Sequence, residues 1–529
     1  MYLVTADEMR KMDQDTIENF GLPGRLLMEN AGRGATRMLI EMLPDLKGKK
    51  VGIAAGSGNN GGDGFVIARC IKEYGAHVTV FLLSEMKKIH GDAKANISLL
   101  SLLDIPVHVI PDKEIFEKHQ LLLSQQEIWV DAILGTGLRS EVKGFFRHVI
   151  QFINNSQAFV FSVDIPSGLD SDTGQPRGIS IKANATATFG FAKTGHMLYP
   201  GTDYTGELCV VDIGIPTPIV NAIHPKQQLL TSEFVSDEYQ PRISQAHKGS
   251  TGHLFVIAGS PGKTGAAALT SLSAMRTGAG LVTLGIPAGL NSVLESQVRE
   301  VMTLPLSETE DGLLHESSEQ TILSFLKNKK CLAIGPGLGT ALGTRALFFK
   351  ILQNAGIPVV IDADGITMLA ENRKILSSLH VPVILTPHPG EMARLMNTTP
   401  GEIQKDRIAV ARAFALEYNV HLVLKGAGTV IAHPDGTVYI NPTGNPGMAS
   451  GGMGDVLTGM IAGLLTQGYS PEAATHLGVW LHGSAADSLT QKKGVVGFLA
   501  SDVMEEIPTQ ISLLDRSRLK KRLSVPFLL

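Results

Sequence analysis

The chain has 529 residues, of which 43% are apolar and 18% charged, and a formal net charge of −4 at pH 7. That length exceeds one ordinary domain, the composition excludes a disordered chain, and the charge leaves no footprint for nucleic acid. Cys70, Cys209 and Cys331 are far apart and odd in number, which argues against a disulfide framework and against a structural zinc site.

The opening residues lack the basic and apolar regions of a secretory signal, and no apolar run reaches membrane-spanning length. A cytoplasmic, homo-oligomeric enzyme acting on small molecules is expected, with neither nucleic acid nor membrane as partner. The basic run Arg516, Arg518, Lys520, Lys521 and Arg522 reads as part of a solvated tail.

Helices are predicted over 5–19 and 25–43. Short apolar runs then alternate with amphipathic stretches, the mark of parallel α/β layers. Strands are predicted at 51–55, 77–83, 128–134, 158–163 and 208–213, with a helix over 64–74. Pro216, Pro218, Pro225 and Pro241 punctuate a polar stretch where the pattern dissolves. A new wound pattern follows, with strands at 254–258, 281–286, 331–334, 359–361, 383–385, 422–424 and 429–432 and helices over 266–278 and 456–466. Both halves are therefore predicted to be α/β, with a first domain over 1–215, a linker over 216–240, a second domain over 241–510 and a tail over 511–529. No internal repeat relates the halves.

Gly56, Gly58 and Gly61 have GxGxxG spacing between a strand and a helix, as a dinucleotide fingerprint requires. Such glycines let amides approach phosphate, and the helix N-terminus adds partial positive charge. Glu85, beyond the next strand, is placed to serve as the ribose acid. Yet Asn59, Asn60 and Asp63 are polar where such turns keep small residues, and Asp63 would repel a phosphate. Two further loops follow strands: Gly135-Thr136-Gly137-Leu138-Arg139-Ser140-Glu141 and Asp164-Ile165-Pro166-Ser167-Gly168. Ligands in open α/β sheets bind beyond the carboxyl ends of strands, so these loops are predicted to share one crevice. There Asn60, Asp131 and Ser167 offer the oxygen donors that suit a hard cation, although each taken singly also suits a turn or cap.

Asn59-Asn60-Gly61-Gly62-Asp63-Gly64 and these two loops resemble the hallmark loops of the NAD(P)H-hydrate epimerase family, over roughly 5–215. The resemblance implies a Rossmann-like three-layer α/β/α fold that interconverts the R and S forms of hydrated NADH and NADPH. It implies K⁺ at Asn60, Asp131 and Ser167, and substrate contacts from Asn59, Asn60, Gly61, Gly62 and Asp63, from 135–141, and from Asp164. Either Asp164 or Lys193 is the candidate acid/base group.

In the second half, the segment from Gly259 to Gly265 lacks Walker A spacing and reads as a glycine turn lining a pocket ahead of a helix. The sharper signal is Gly451-Gly452-Met453-Gly454-Asp455 running into a strongly apolar helix. Its glycines bare the first-turn amides for an anion, and Asp455 is placed to take a proton from a substrate hydroxyl while those amides stabilise phosphoryl charge. Gly335-Pro336-Gly337-Leu338-Gly339, Asp362-Ala363-Asp364-Gly365, Thr386-Pro387-His388-Pro389-Gly390-Glu391 and Lys425-Gly426-Ala427-Gly428-Thr429 each follow a strand. Lys425 suits a phosphate as a point charge, and His388, between prolines, suits a substrate contact. His476 and His482 fall on a helix and read as structural.

In combination these motifs resemble the ADP/ATP-dependent NAD(P)H-hydrate dehydratase family, within the ribokinase-like superfold, over about 240–509. The resemblance implies that Ala266, Gly337, Gly339, His388 and Asp455 contact the hydrated cofactor. It implies that Lys425, Gly426, Ala427, Gly428, Thr429 and Gly454 hold an adenine nucleotide with Mg²⁺. The fused arrangement resembles that of bacterial members, which use ADP, so ADP is expected as co-substrate, or else ATP. The alternatives are a small-molecule kinase of the same superfold, an NAD-dependent dehydrogenase built on the first glycine turn, and a non-catalytic binding module in the first half.

Overall fold

The computed structural model describes residues 1–523, with side chains described as far as Arg516. The chain divides into two compact units, Tyr2–Gln227 and Gln228–Leu529, the latter with Met1.

The first unit carries strands β1 (Tyr2–Val4), β2 (Lys50–Ala55), β3 (His77–Leu82), β4 (Val107–Val109), β5 (Ile128–Ala132), β6 (Phe159–Val163), β7 (Ala185–Phe189), β8 (Ala192–Lys193) and β9 (Glu207–Val211). Seven of them form one sheet in the order β4-β3-β2-β5-β6-β7-β9, every pairing parallel. The strand order reverses between β2 and β5, and the two successive strand ends there open a crevice. β2 and β5 are buried almost throughout, as strands covered on both faces must be.

In the second unit lie β10 (Gln227–Leu229, which begins at the division), β11 (His253–Ile257), β12 (Leu281–Pro287), β13 (Met302–Leu306), β14 (Cys331–Ile334), β15 (Val359–Ile361), β16 (Val383–Leu385), β17 (His421–Leu424), β18 (Thr429–Ala432) and β19 (Val438–Asn441). The sheet runs β13-β12-β11-β14-β15-β16-β17-β18-β19. It is parallel as far as β17 and antiparallel in its last two pairings. The order reverses between β11 and β14, giving a second switch point.

The α/β class predicted for both halves is what the chain folds into, with differences in detail. β1, β4, β7, β8, β10, β13 and β19 were not predicted. β7 is fully buried but reads Ala-Thr-Ala-Thr-Phe, without the branched apolar residues that mark a buried parallel strand. The stretch 216–240 is folded, with helices Thr217–Ile223 and Ser232–Glu238. The helix Ala500–Leu523 continues through the first part of 511–529, with Leu514 buried; 524–529 and the side chains of the basic run beyond Arg516 lie outside the described residues.

The helix Met453–Thr466 is apolar all round and buried nearly throughout. It packs on Thr264–Thr277 so closely that a Cβ on Gly459 would overlap the Thr270 carbonyl and the Ser273 hydroxyl. Thr270 Oγ1 also donates to the Asp455 carbonyl at 3.2 Å, so this contact fixes where the helix begins. Because backbone oxygen cannot rotate away, Gly459→Ala should destabilise the second unit by about 1–3 kcal/mol. Chemical denaturation would show this as a lowered midpoint for that unit.

Candidate active sites

In the first unit, a cavity of about 820 Å³ opens at the β2/β5 switch point. Gly56 follows β2, and its amide donates to the Ala132 carbonyl at 2.9 Å. A Cβ there would overlap the Ile133 carbonyl, and one on Gly61 would overlap that of Gly56. Glycine is therefore required for the turn to close. The following helix is Asn59–Lys72, five residues earlier at its start than the helix predicted over 64–74; its N-cap is Gly58, with no side-chain cap. Asn59, Asn60 and Asp63 thus sit in its first turns and line the cavity, whereas Gly61 and Gly62 lie beneath, Gly62 close against Met28.

Gly135, Thr136, Gly137, Leu138, Arg139 and Ser140 also line the cavity. Glu141 does not: it pairs with Lys143 at 3.0 Å. Glu85 is likewise outside the lining and pairs with Lys87, which removes the ribose-acid reading.

Asp164 caps the end of β6 with φ of +65°, a left-handed conformation that non-glycine residues hold only under compensation. That compensation is visible. Lys193, buried completely, donates from Nζ to Asp164 Oδ1 at 2.5 Å, to Thr188 Oγ1 at 2.9 Å and to the Phe189 carbonyl at 3.1 Å. Burial alone would raise the Asp164 carboxyl, but the Lys193 charge and hydrogen bond outweigh it and hold it below the usual range. Asp164 and Lys193, weighed as alternatives from sequence, are one ion pair. Burial instead raises Asp63 well above the ordinary value, assisted by the Asp164 and Asp13 charges.

Asp131 and Ser167 also meet, Ser167 Oγ donating to Asp131 Oδ1 at 2.5 Å and its amide to Oδ2 at 2.8 Å. Asn60 differs, for its buried Oδ1 and Nδ2 have no hydrogen-bond partner among the described residues. A buried amide left in this state normally awaits an unrepresented ion or water.

In the second unit, Gly452, at φ of +92°, caps the helix Met453–Thr466 without a side-chain hydrogen bond, leaving its first amides free of side-chain caps. Asp455 lies in that first turn, and burial, with the Asp362 charge, pushes its carboxyl up to about 7. Lys425 Nζ lies 2.8 Å from Asp362 Oδ1 and 3.9 Å from Glu391 Oε2, and Thr458 Oγ1 donates to Asp362 Oδ2 at 2.8 Å. A Cβ on Gly454 would stand 3.1 Å from Lys425 Nζ. Sequence reading gave Lys425 a nucleotide phosphate as partner; the structure also sets Asp362 beside it.

The remaining loops converge on the same strand ends. Asp364 accepts from the Gly339 amide at 2.8 Å and from Lys263 Nζ at 3.0 Å. A Cβ on Gly337 would come 3.2 Å from that of Ala266. Ala363, between the two aspartates, has φ of +51°. His388 caps the helix Pro389–Met396, its Nδ1 accepting from the Gly390 and Glu391 amides at 3.0 and 3.2 Å, so half of its ring already serves local structure. His476 and His482 are buried, and His476 Nδ1 meets Glu238 at 3.0 Å.

Sequence reading missed Asp13 in the first cavity and Arg407 in the second site, and it named Asp362 and Glu391 within their loops without giving either a role. Arg407 is buried. Its guanidinium donates to the carbonyls of Ala427 at 2.6 Å, Gly428 at 3.0 Å, Leu424 at 2.8 Å and Lys425 at 3.3 Å, bracing the loop 425–429 from behind.

Comparison with known proteins bears on both sites. A family model described as NAD(P)H-hydrate dehydratase matches residues 254–509, and one described as YjeF-related protein N-terminus matches 24–195. A relative from Moorella thermoacetica, a bifunctional NAD(P)H-hydrate repair enzyme, is 41% identical over 509 residues, covering 96% of each chain. One of the same name from Thermofilum pendens is 36% identical, covering 97% of each. A solved ADP/ATP-dependent NAD(P)H-hydrate dehydratase from Bacillus subtilis, co-crystallised with ATP/Mg²⁺, is 31% identical and covers 54% of this chain and 98% of that one, with a TM-score of 0.48. With both models in tandem and near-complete coverage by these relatives, the chain belongs to the family of bifunctional NAD(P)H-hydrate repair enzymes.

Proposed function

We propose that the cavity of the first unit interconverts the R and S forms of hydrated NADH and NADPH, and that the second unit dehydrates the S form at the expense of ADP, or of ATP. The observation that supports this most directly is Asp455: a carboxylate with a pKa of about 7 beside uncapped helix amides. A general base works best when its pKa lies near the operating pH, and such amides stabilise charge on a transferring phosphoryl group.

Hydroxide is a poor leaving group, so the hydroxyl is phosphorylated first. Asp455 takes its proton as the oxygen attacks the terminal phosphorus of the nucleotide. Phosphate then leaves, expelled by the ring nitrogen lone pair, and loss of the neighbouring proton restores the reduced nicotinamide. The loop 425–429 and Gly454 hold the nucleotide; Ala266, Gly337, Gly339 and His388 contact the hydrated ring. Mg²⁺, commonly bound through one or two carboxylates and substrate phosphates, suits Asp362 and Glu391, which flank Lys425, and would neutralise phosphate charge.

In the first unit Asn60, Asp131 and Ser167 would hold K⁺. The unpartnered buried Asn60 Oδ1 supports this assignment, and a bound cation there would fix the substrate-binding turn electrostatically. Asp164, held ionised, contacts the substrate and, with Lys193, assists proton transfer.

Incubation of the protein with mixed hydrates, K⁺, Mg²⁺ and ADP, followed by reduced-nicotinamide absorbance, tests the whole reading; intact protein should restore it completely. Asp455→Asn should slow dehydration by about 10²–10⁴-fold, and near-normal turnover would overturn the base assignment. Because the base must be deprotonated, the wild-type rate should rise as pH increases through about 7, and this limb should vanish in the variant.

Asn60→Ala should strand the R form and abolish the dependence of its conversion on K⁺, with S-form dehydration unchanged. Chiral separation of the remaining hydrates at fixed ionic strength reads both effects. Retained K⁺ dependence would remove Asn60 from the ion site.

A further inference from the structure

The cavity of the first unit has a wall that none of its three glycine loops supplies. The helix Ala6–Glu18 contributes Met9, Arg10, Asp13 and Ile17 to the lining, and it precedes the residues matched by the N-terminal family model, 24–195. Arg10 is engaged by Asp7 at 2.7 Å. Asp13 has no such engagement: its buried Oδ1 has no hydrogen-bond partner among the described residues.

A buried, unpaired carboxylate oxygen is costly, and an apolar side chain would fill the position more cheaply. When such a group faces a ligand cavity, function accounts for it better than packing does. Its charged and titratable neighbours are Lys193, Asp164 and Asp63, with Asp92 and Arg10 in the same lining. Burial pushes the Asp13 carboxyl up to about 6, opposed by the Lys193 ammonium and reinforced by Asp164.

We propose that Asp13 is a second catalytic carboxylate of this cavity, the base that removes the hydroxyl proton of the hydrated nicotinamide ring. The proposal rests on the assignment of the cavity to epimerisation. A ring opening that breaks an O–H bond and makes an N–H bond needs two proton carriers, and Asp164 with Lys193 forms only one. The hydroxyl proton passes to Asp13, the oxygen electron pair forms the carbonyl, and the carbon–nitrogen bond breaks with its pair left on nitrogen. The nitrogen takes a proton from the Asp164–Lys193 pair. Rotation about the adjacent carbon–carbon bond turns the other carbonyl face to nitrogen. Reclosure returns one proton to the pair and the other from Asp13 to oxygen, so the carbon is inverted and the protein ends as it began.

The test uses the full chain, mixed hydrates, K⁺, Mg²⁺ and ADP, with Asp13→Asn, Asp13→Glu and Asp164→Asn compared over the pH range around 6. Asp13→Asn should slow R-form conversion by about 10²–10⁴-fold while S-form dehydration and the unfolding midpoint hold. The wild-type kcat/KM for the R form should fall as pH drops through about 6, where the base becomes protonated. That limb should be absent in Asp13→Asn and present, at lower rate, in Asp13→Glu. Wild-type conversion by Asp13→Asn alongside an inactive Asp164→Asn would overturn the role of Asp13 alone. Loss of activity with the acid limb intact, or with a lowered midpoint that Asp13→Glu restores without the limb, would make Asp13 structural and also overturn it. Unchanged conversion in both asparagine variants would instead sink the assignment of the cavity.

Discussion

Both sites depend on a lysine committed to one aspartate. Lys193 is fully enclosed and donates to Asp164; Lys425 donates to the buried Asp362. A carboxylate moved out of water must be paired or it neutralises, and each lysine meets that requirement for its own partner. The neighbouring carboxylates receive only the remainder. Asp455 rises to about 7 although Lys425 opposes the shift, and Asp13 rises to about 6 although Lys193 does. One lysine-anchored carboxylate beside one whose pKa is raised is the division of labour that acid/base chemistry requires.

The same strand ends explain why glycine and strained residues gather there. At a switch point two neighbouring parallel strands end side by side, and the chain leaving one passes against the chain leaving the other. A Cβ on Gly56 would overlap the Ile133 carbonyl; one on Gly335, at φ of +123°, would overlap that of Asp362. Asp164 and Ala363 adopt left-handed conformations just after β6 and β15. Strain of order 1–3 kcal/mol per residue persists only where surroundings over-determine it, and at Asp164 those surroundings are the hydrogen bonds from Lys193, Thr188 and the Phe189 amide. The strain therefore aims the carboxylate at Lys193 while keeping it in the cavity lining.

Much of this was legible in the sequence because its signals are local. Each predicted strand corresponds to one in the structure, and the α/β expectation for both halves stands. Glycine turns betray themselves by composition, and so the loops that form the site were found. What escaped is set by tertiary contact. Asp13 follows the buried Met12 on an amphipathic helix, where a polar residue ordinarily faces water; only the packed fold turns it into a cavity. Arg407 sits on a helix whose sequence gives no hint that four carbonyls of a distant loop converge on it. Glu85 was assigned to a ligand, and Lys425 to a phosphate without the aspartate beside it, because nothing in the sequence shows which charges the fold pairs with each other. Asp362 and Lys87 are those partners.

Stereochemistry supplies a physical reason for joining the two units in one chain. On the proposed assignment, a single carboxylate at a fixed helix start could approach a hydroxyl on only one face of a ring held in one orientation by the surrounding loops. Gly337 beside Ala266 and Gly339 bound to Asp364 leave those walls little freedom. A hydroxyl of opposite configuration would point away from Asp455 and from the uncapped amides. In-line transfer to it would then require the whole ring to turn over within the same walls. On that assignment the discrimination would follow from placing base and phosphoryl donor on one side of the substrate, and it would leave half of a racemic hydrate untouched unless another site inverts the carbon. A cavity with a paired carboxylate and an unpaired one, carried on the same chain, is suited to that inversion.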